Sequence, residues 1–122
     1  MTSKNIKIRL MLTPVGEQAE VILTHGTLME RDEKSLVQFE DRRIQIEAGR
    51  VLIRQQYLLE LCPEKETDLI YPTPYGDLSM KVRTNLLEVA QDRKQVNALY
   101  TLYTNGEMIH KISMNLKLEE EK

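Results

Sequence analysis

Tryptophan is absent, phenylalanine occurs once and tyrosine five times, so aromatic side chains make up only 5% of the 122 residues. Such a chain offers few platforms on which bases could stack. Lysine and arginine number 17 against 19 acidic residues, a formal net charge of −2. An electrostatic polyanion binder carries an excess of cations, so no nucleic-acid partner is expected. A single cysteine, Cys62, excludes an intrachain disulfide framework and points to a reducing, cytoplasmic compartment. Met1 to Leu12 alternates charged and apolar residues, unlike a signal peptide, and no run approaches the length of a membrane span. Five scattered glycines supply neither a dinucleotide nor a phosphate-loop pattern. Gly-x-Ser-x-Gly, Cys-x-x-Cys, His-Glu-x-x-His and acidic Ca²⁺ loops are also missing, so no cofactor or metal is expected.

What the chain does contain is a period of two. Ile6, Ile8, Leu10 and Leu12 share one parity, and Lys7 and Arg9 the other. Ile44 and Ile46 alternate with Arg43, Gln45 and Glu47, and Leu78, Met80 and Val82 with Ser79, Lys81 and Arg83. Met108, Ile112, Met114, Leu116 and Leu118 form a face opposed by Lys111, Ser113, Asn115 and Lys117. Successive strand side chains point to opposite sides, so this pattern describes antiparallel strands with one buried and one wet face. Asn105-Gly106, between two alternating runs, is the strongest hairpin signal, because both residues tolerate positive φ. Gly26, inside the run Val21 to Arg31, reads as a bulge or sharp bend. Polar turns at 32–34, 40–42, 63–66 and 92–94 leave room for about ten short strands in one domain over residues 1–122. Asn85-Leu86-Leu87-Glu88 fits a helical capping box, but its neighbours favour a strand. Glu119-Glu120-Glu121-Lys122 reads as a frayed tail. A meander of this many strands hides its edges in a sandwich or a closed barrel, and the short connections favour an up-and-down β-barrel.

Tyr71-Pro72-Thr73-Pro74-Tyr75-Gly76-Asp77-Leu78, Val82-Arg83-Thr84 and Leu102-Tyr103-Thr104-Asn105-Gly106-Glu107 resemble the YwiB-like proteins, small bacterial proteins of uncharacterised function. The Thr-Pro-Tyr-Gly-x-Leu turn and the Asn-Gly-Glu hairpin carry the resemblance, with a looser fit of the amino-terminal half through its first strand and Gly26-Thr27-Leu28. The resemblance implies an all-β, calycin-type (lipocalin-like) barrel and brings no catalytic residues, cofactor or substrate. Without tryptophan the chain lacks the Gly-x-Trp signature of true lipocalins.

Candidate site residues follow from parity. Arg54 and Gln56 share that of Leu52 and Leu58, and Glu88 follows Leu78, Met80, Val82 and Leu86. These polar groups enter the interior, as a costly Arg–Glu pair or a polar lumen, unless a register change turns them to solvent. His110 shares the parity of Met108 and Met114, and His25 that of Val21 and Leu23, which would place each inward near a strand end. Tyr75 either lines a binding rim or covers the end of the barrel. Cys62, just before Pro63, has no visible base and packs as an inert thiol. The leading expectation is a non-catalytic barrel binding a small, partly apolar or amphiphilic ligand inside, with Arg54, Tyr75, Glu88 and His110 as contacts. Its rival is a protein-interaction module or homodimer with a solid barrel, using Met11, Leu87, Leu99 or Ile109 on its outer surface. A lumenal hydrolase or isomerase has no matched acid and base.

Overall fold

The computed structural model describes residues 3–121. Ten strands form the fold: β1 (Ser3–Pro14), β2 (Glu20–Arg31), β3 (Lys34–Phe39), β4 (Arg42–Glu47), β5 (Arg50–Arg54), β6 (Leu58–Leu61), β7 (Thr67–Thr73), β8 (Gly76–Val89), β9 (Gln95–Thr104) and β10 (Glu107–Glu120). Every pairing is antiparallel, in the order β6-β5-β4-β3-β2-β1-β10-β9-β8-β7. The meander closes where β10 returns to β1, from Ile6 opposite Glu120 to Pro14 opposite Ile112. A seam remains between β6 and β7. There the Thr67 hydroxyl donates to the Glu60 carbonyl (2.7 Å) and the Cys62 N–H donates to Thr84 Oγ1 on β8 (3.0 Å).

Directly opposed residues share a face, so the register writes out the core as rows. Leu28, Val37, Ile44, Ile53 and Leu59 form one row, and Ser35, Ile46, Val51 and Leu61 the next. On the far wall Val96, Leu116, Leu10 and Ile22 form another. Ile6, Val37, Ile44, Ile46, Val51, Leu61, Val96 and Leu116 have no surface a water-sized sphere can touch. A ligand-sized lumen beside them would have left such surface. The girdle of the barrel is filled by its own side chains.

The 85–89 segment is the end of β8, the strand its neighbours favour, and no helix opens at Asn85. Several orientations, by contrast, differ from those the sequence suggests. The ladder slips between Thr84 and Leu86; Leu87 and Val89 then pack on the core, and Leu86 and Glu88 face solvent. A second slip between Met108 and His110 sets Met108 opposite Tyr103 and His110 opposite Leu102, on different faces. In β2, Ile22, Thr24 and Gly26 oppose Leu10, Ile8 and Ile6, so His25 points outward beside Glu121. In β5, Val51 and Ile53 oppose Ile46 and Ile44, which turns Leu52 and Arg54 outward. Gly26 pairs regularly with Ile6 rather than forming a bulge. A Cβ there would sit 2.4 Å from the Gln38 carbonyl oxygen and 2.9 Å from Phe39 Cβ, so glycine permits a close approach. Glu119 and Glu120 pair with β1 rather than fraying; Lys122 lies outside the described residues.

Candidate functional site

The two ends of the barrel are built from different chemistry. One end gathers the β2–β3, β4–β5, β6–β7 and β8–β9 turns with the strand ends of β1 and β10. Here many charges are paired, although Glu33, Lys34, Glu64 and Asp92 form no ion pair among the described residues and Arg50 Nε and Glu60 Oε2 are buried without a hydrogen-bond partner. Lys94 and Lys4 reach the Glu120 carboxylate at 2.8 and 3.2 Å, Arg83 reaches Glu66 at 3.5 Å, and Arg50 reaches Glu47 at 3.4 Å. The hydrogen bond from Lys94, then that from Lys4, holds the Glu120 carboxyl below its usual pKa. Arg93, in the β8–β9 turn, crosses the end to donate to the buried Ser35 hydroxyl (2.9 Å) and meets Glu30 at 3.8 Å. That contact latches the end shut.

The opposite end carries the β1–β2, β7–β8 and β9–β10 turns on one continuous lip, because β2, β1, β10, β9, β8 and β7 are successive neighbours. The β1–β2 turn is tied to β10 by the Val15 N–H donating to the Lys111 carbonyl (2.8 Å). In the β7–β8 turn Thr73 Oγ1 accepts the Tyr75 N–H and donates to the Gly76 carbonyl. These bonds, with φ of +117° at Gly76, hold Tyr75 up with 99% of its surface exposed. Asn105 and Gly106, both at positive φ, make the tight β9–β10 turn that projects Met108, 63% exposed, beside Ile109. Val15, Tyr71 and Leu78 complete an exposed apolar rim. Glu17, Glu20, Asp77 and Glu107 stand among these residues, and segments 14–20, 73–77 and 104–108 contain no lysine or arginine. None of the ion pairs formed among the described residues involves those carboxylates.

Behind the lip the mouth is plugged. Tyr57 and Tyr71 rings meet at 5.2 Å with a tilt of 49°. Burial, and then the neighbouring Tyr71 phenol, raise the Tyr57 pKa, against a smaller lowering by Arg42. Burial also pushes the Tyr100 phenol well above its ordinary value, with Tyr57 adding to the effect. Both phenols are therefore neutral, space-filling groups at physiological pH.

The four residues singled out by parity do not converge. Tyr75 stands on the lip, and His110 faces the inner side at the mouth, exposed. Arg54 lies on the outer wall opposite Arg43, and Glu88 on another part of that wall opposite Asn97. The inward orientation expected of Arg54 and Glu88 is thus corrected by the β5 register and the β8 slip, and the two do not pair. Of the outer-surface candidates, Ile109 is exposed, Met11 and Leu99 are half-buried on the outer wall, and Leu87 turns inward. Val15 escapes notice in the sequence because only the fold brings its turn beside the others, and Met108, assigned there to the apolar face of the last strand, is turned outward by the slip in β10. Among the described residues, no group of three or more His, Cys, Asp or Glu is placed to hold a metal ion. No helix is long and apolar enough to cross a membrane.

A ten-stranded antiparallel meander, closed except at one seam, is a calycin-like barrel. Its family has a description but no assigned activity: the chain belongs to the domain of unknown function DUF1934, whose model matches residues 6–116. Its fold is similar to the crystal structure of the YwiB protein from Bacillus subtilis, with a TM-score of 0.76 over 99% of this chain and 93% of that one. At 15% identity the likeness concerns the fold. No curated protein matches the sequence.

Proposed function

We propose that the chain is a non-catalytic protein-interaction module with a solid barrel, and that its apolar lip docks on a partner surface that is itself apolar and basic. One observation carries this reading: large apolar side chains stay exposed at the end of the barrel whose turn carboxylates form no ion pair among the described residues. Rigidly presented aromatic and methionine side chains are the residue types that anchor protein interfaces, and they need complementary charge around them to fix a docking pose. The filled girdle and plugged mouth support an outer-surface reading over burial of a ligand inside. A symmetric lip-to-lip dimer would bring one acidic patch against its own copy, which favours a different protein as partner.

The test is a titration followed by backbone amide shifts, using a leucine–lysine amphipathic helical peptide and a matched leucine–glutamate peptide. The basic peptide is expected to shift the amides of Val15, Tyr75, Met108 and Ile109 saturably, and Tyr75→Ser with Met108→Ser to abolish the response. Equal responses to both peptides, or no saturable shift at the lip, would defeat the reading.

A further inference from the structure

The outer wall of β3 to β6 carries an arrangement that folding alone disfavours. Arg43 on β4 lies directly opposite Arg54 on β5, and like charges in that position repel. The side chains flanking the pair in the same cross-strand row are Gln38 and Leu58, neither of them acidic. Among the described residues neither arginine forms an ion pair, although acidic residues outnumber basic ones in the chain. Together with Leu36, Gln45, Leu52 and Leu58 they line a recess of about 190 Å³. A second recess of about 320 Å³ shares Leu36 and Gln45 with the first and continues past Met29 to Lys34. The result is a shallow groove with a floor of Leu36, Leu52, Leu58 and Met29, the Arg43 and Arg54 guanidinium groups at one end, and Arg31, Asp32 and Lys34 at the other, where Arg31 is paired with Asp32.

We infer that this groove binds a small amphiphilic anion, a carboxylate or phosphate head on an aliphatic chain. Each guanidinium presents planar N–H forks that match two oxygens of such a head, and one anion held between them relieves the repulsion of the pair. The first recess accommodates the head and the first few carbons. Leu36 and Met29 then lead the chain into the second, where burial of methylene groups adds binding energy. The site lies on the outer wall beside the β3–β4 and β5–β6 turns, at the same end of the barrel as the lip but on different strands, and stands independently of any partner there.

Calorimetric titration decides it, with octanoate, octyl phosphate, inorganic phosphate and 1-octanol as probes against wild type, Arg43→Met, Arg54→Met and Arg9→Met. Arg9 is another arginine without an ion pair among the described residues, on the outer wall of β1, so its variant controls for lost net charge. One octanoate or octyl phosphate is expected to bind per chain. Arg43→Met and Arg54→Met should each weaken it about tenfold, as expected for loss of a charge-assisted hydrogen bond. Arg9→Met should leave it unchanged, and the ratio of octanoate to octyl phosphate affinity identifies the preferred head. Inorganic phosphate binding as tightly as octyl phosphate would remove the role of the apolar floor. Equal losses for all three variants would reduce the effect to net charge, and absence of saturable binding to either anion, or 1-octanol binding as tightly as both, would overturn the site.

Discussion

The two ends of this barrel solve the same problem differently. At one, turns and strand ends are fastened by ion pairs, and Arg93 spans the opening to a buried serine. At the other, the turns are locked internally by Thr73, Asn105 and Gly106, but their apolar tips stay exposed and their carboxylates form no ion pair among the described residues. The difference teaches that a turn can be locked by its own hydrogen bonds and backbone angles without pairing its charges.

The girdle between the ends sets the scale, and the largest effects are expected there. Ile44→Ala should cost about 2–5 kcal/mol, since it removes methylenes from a fully enclosed site, as read from denaturant midpoints. Gly26→Ala should follow at about 1–3 kcal/mol, because its new Cβ meets a backbone oxygen that cannot swing away. Gly106→Val should cost a similar ~1–3 kcal/mol through backbone strain alone, since φ is +79° and a Cβ there meets no neighbour.

A sharper contrast sets one turn residue from each end side by side. Arg93→Ala should destabilise by about 1–2 kcal/mol, because it strips a partner from the buried Ser35 hydroxyl. Tyr75→Ala removes a larger, fully exposed group and should change stability by less than about 0.5 kcal/mol. If Tyr75→Ala cost as much as Arg93→Ala, the lip would be part of the fold rather than a surface held in reserve.

Two effects of pH fall on opposite sides of neutrality. At the ion-paired end, Glu120 has a folded pKa below its ordinary 4.5, so its contribution is present above that value and lost as pH falls through the folded one. Lys94→Met should move the Glu120 titration upward in carboxyl-carbon spectra. At the apolar end, Tyr100 has a folded pKa above its ordinary 10.0. Its contribution is complete below pH 10.0 and declines as pH rises from there towards the folded pKa, because the unfolded phenol ionises first. Tyrosinate absorbance should therefore show a late step that Tyr100→Phe removes.

How much of this was legible in the sequence depends on the contrast between the two faces of each strand. β1, β4 and most of β10 read correctly because polar or charged residues occupy most of the outer parity. β2 and β5 misled because both parities are apolar: Ile22 competes with Val21 and Leu23, and Val51 and Ile53 with Leu52. Only the partner strand decides between them, through Leu10 and Ile8 for β2 and Ile44 and Ile46 for β5. The slips in β8 and β10 left a local mark in the doublets Leu86-Leu87 and Met108-Ile109, where two adjacent apolar residues break an alternating run. Reading each doublet as a change of phase would have put Glu88 outside. The ion pairs at the fastened end join residues as far apart as Lys4 and Glu120, and no spacing rule connects those. For the same reason the lip could be read turn by turn but not as one surface.

A full interior is what confines the proposed recognition to the outside of the barrel. Xenon enters empty apolar cavities and shifts the methyl groups that line them. Methyl spectra recorded under increasing xenon pressure should show no saturable shift at Ile44, Ile46, Val51, Leu61, Val96 or Leu116, residues with no accessible surface. Saturable shifts concentrated on those six methyl-bearing residues would reveal a hollow barrel and contradict the account.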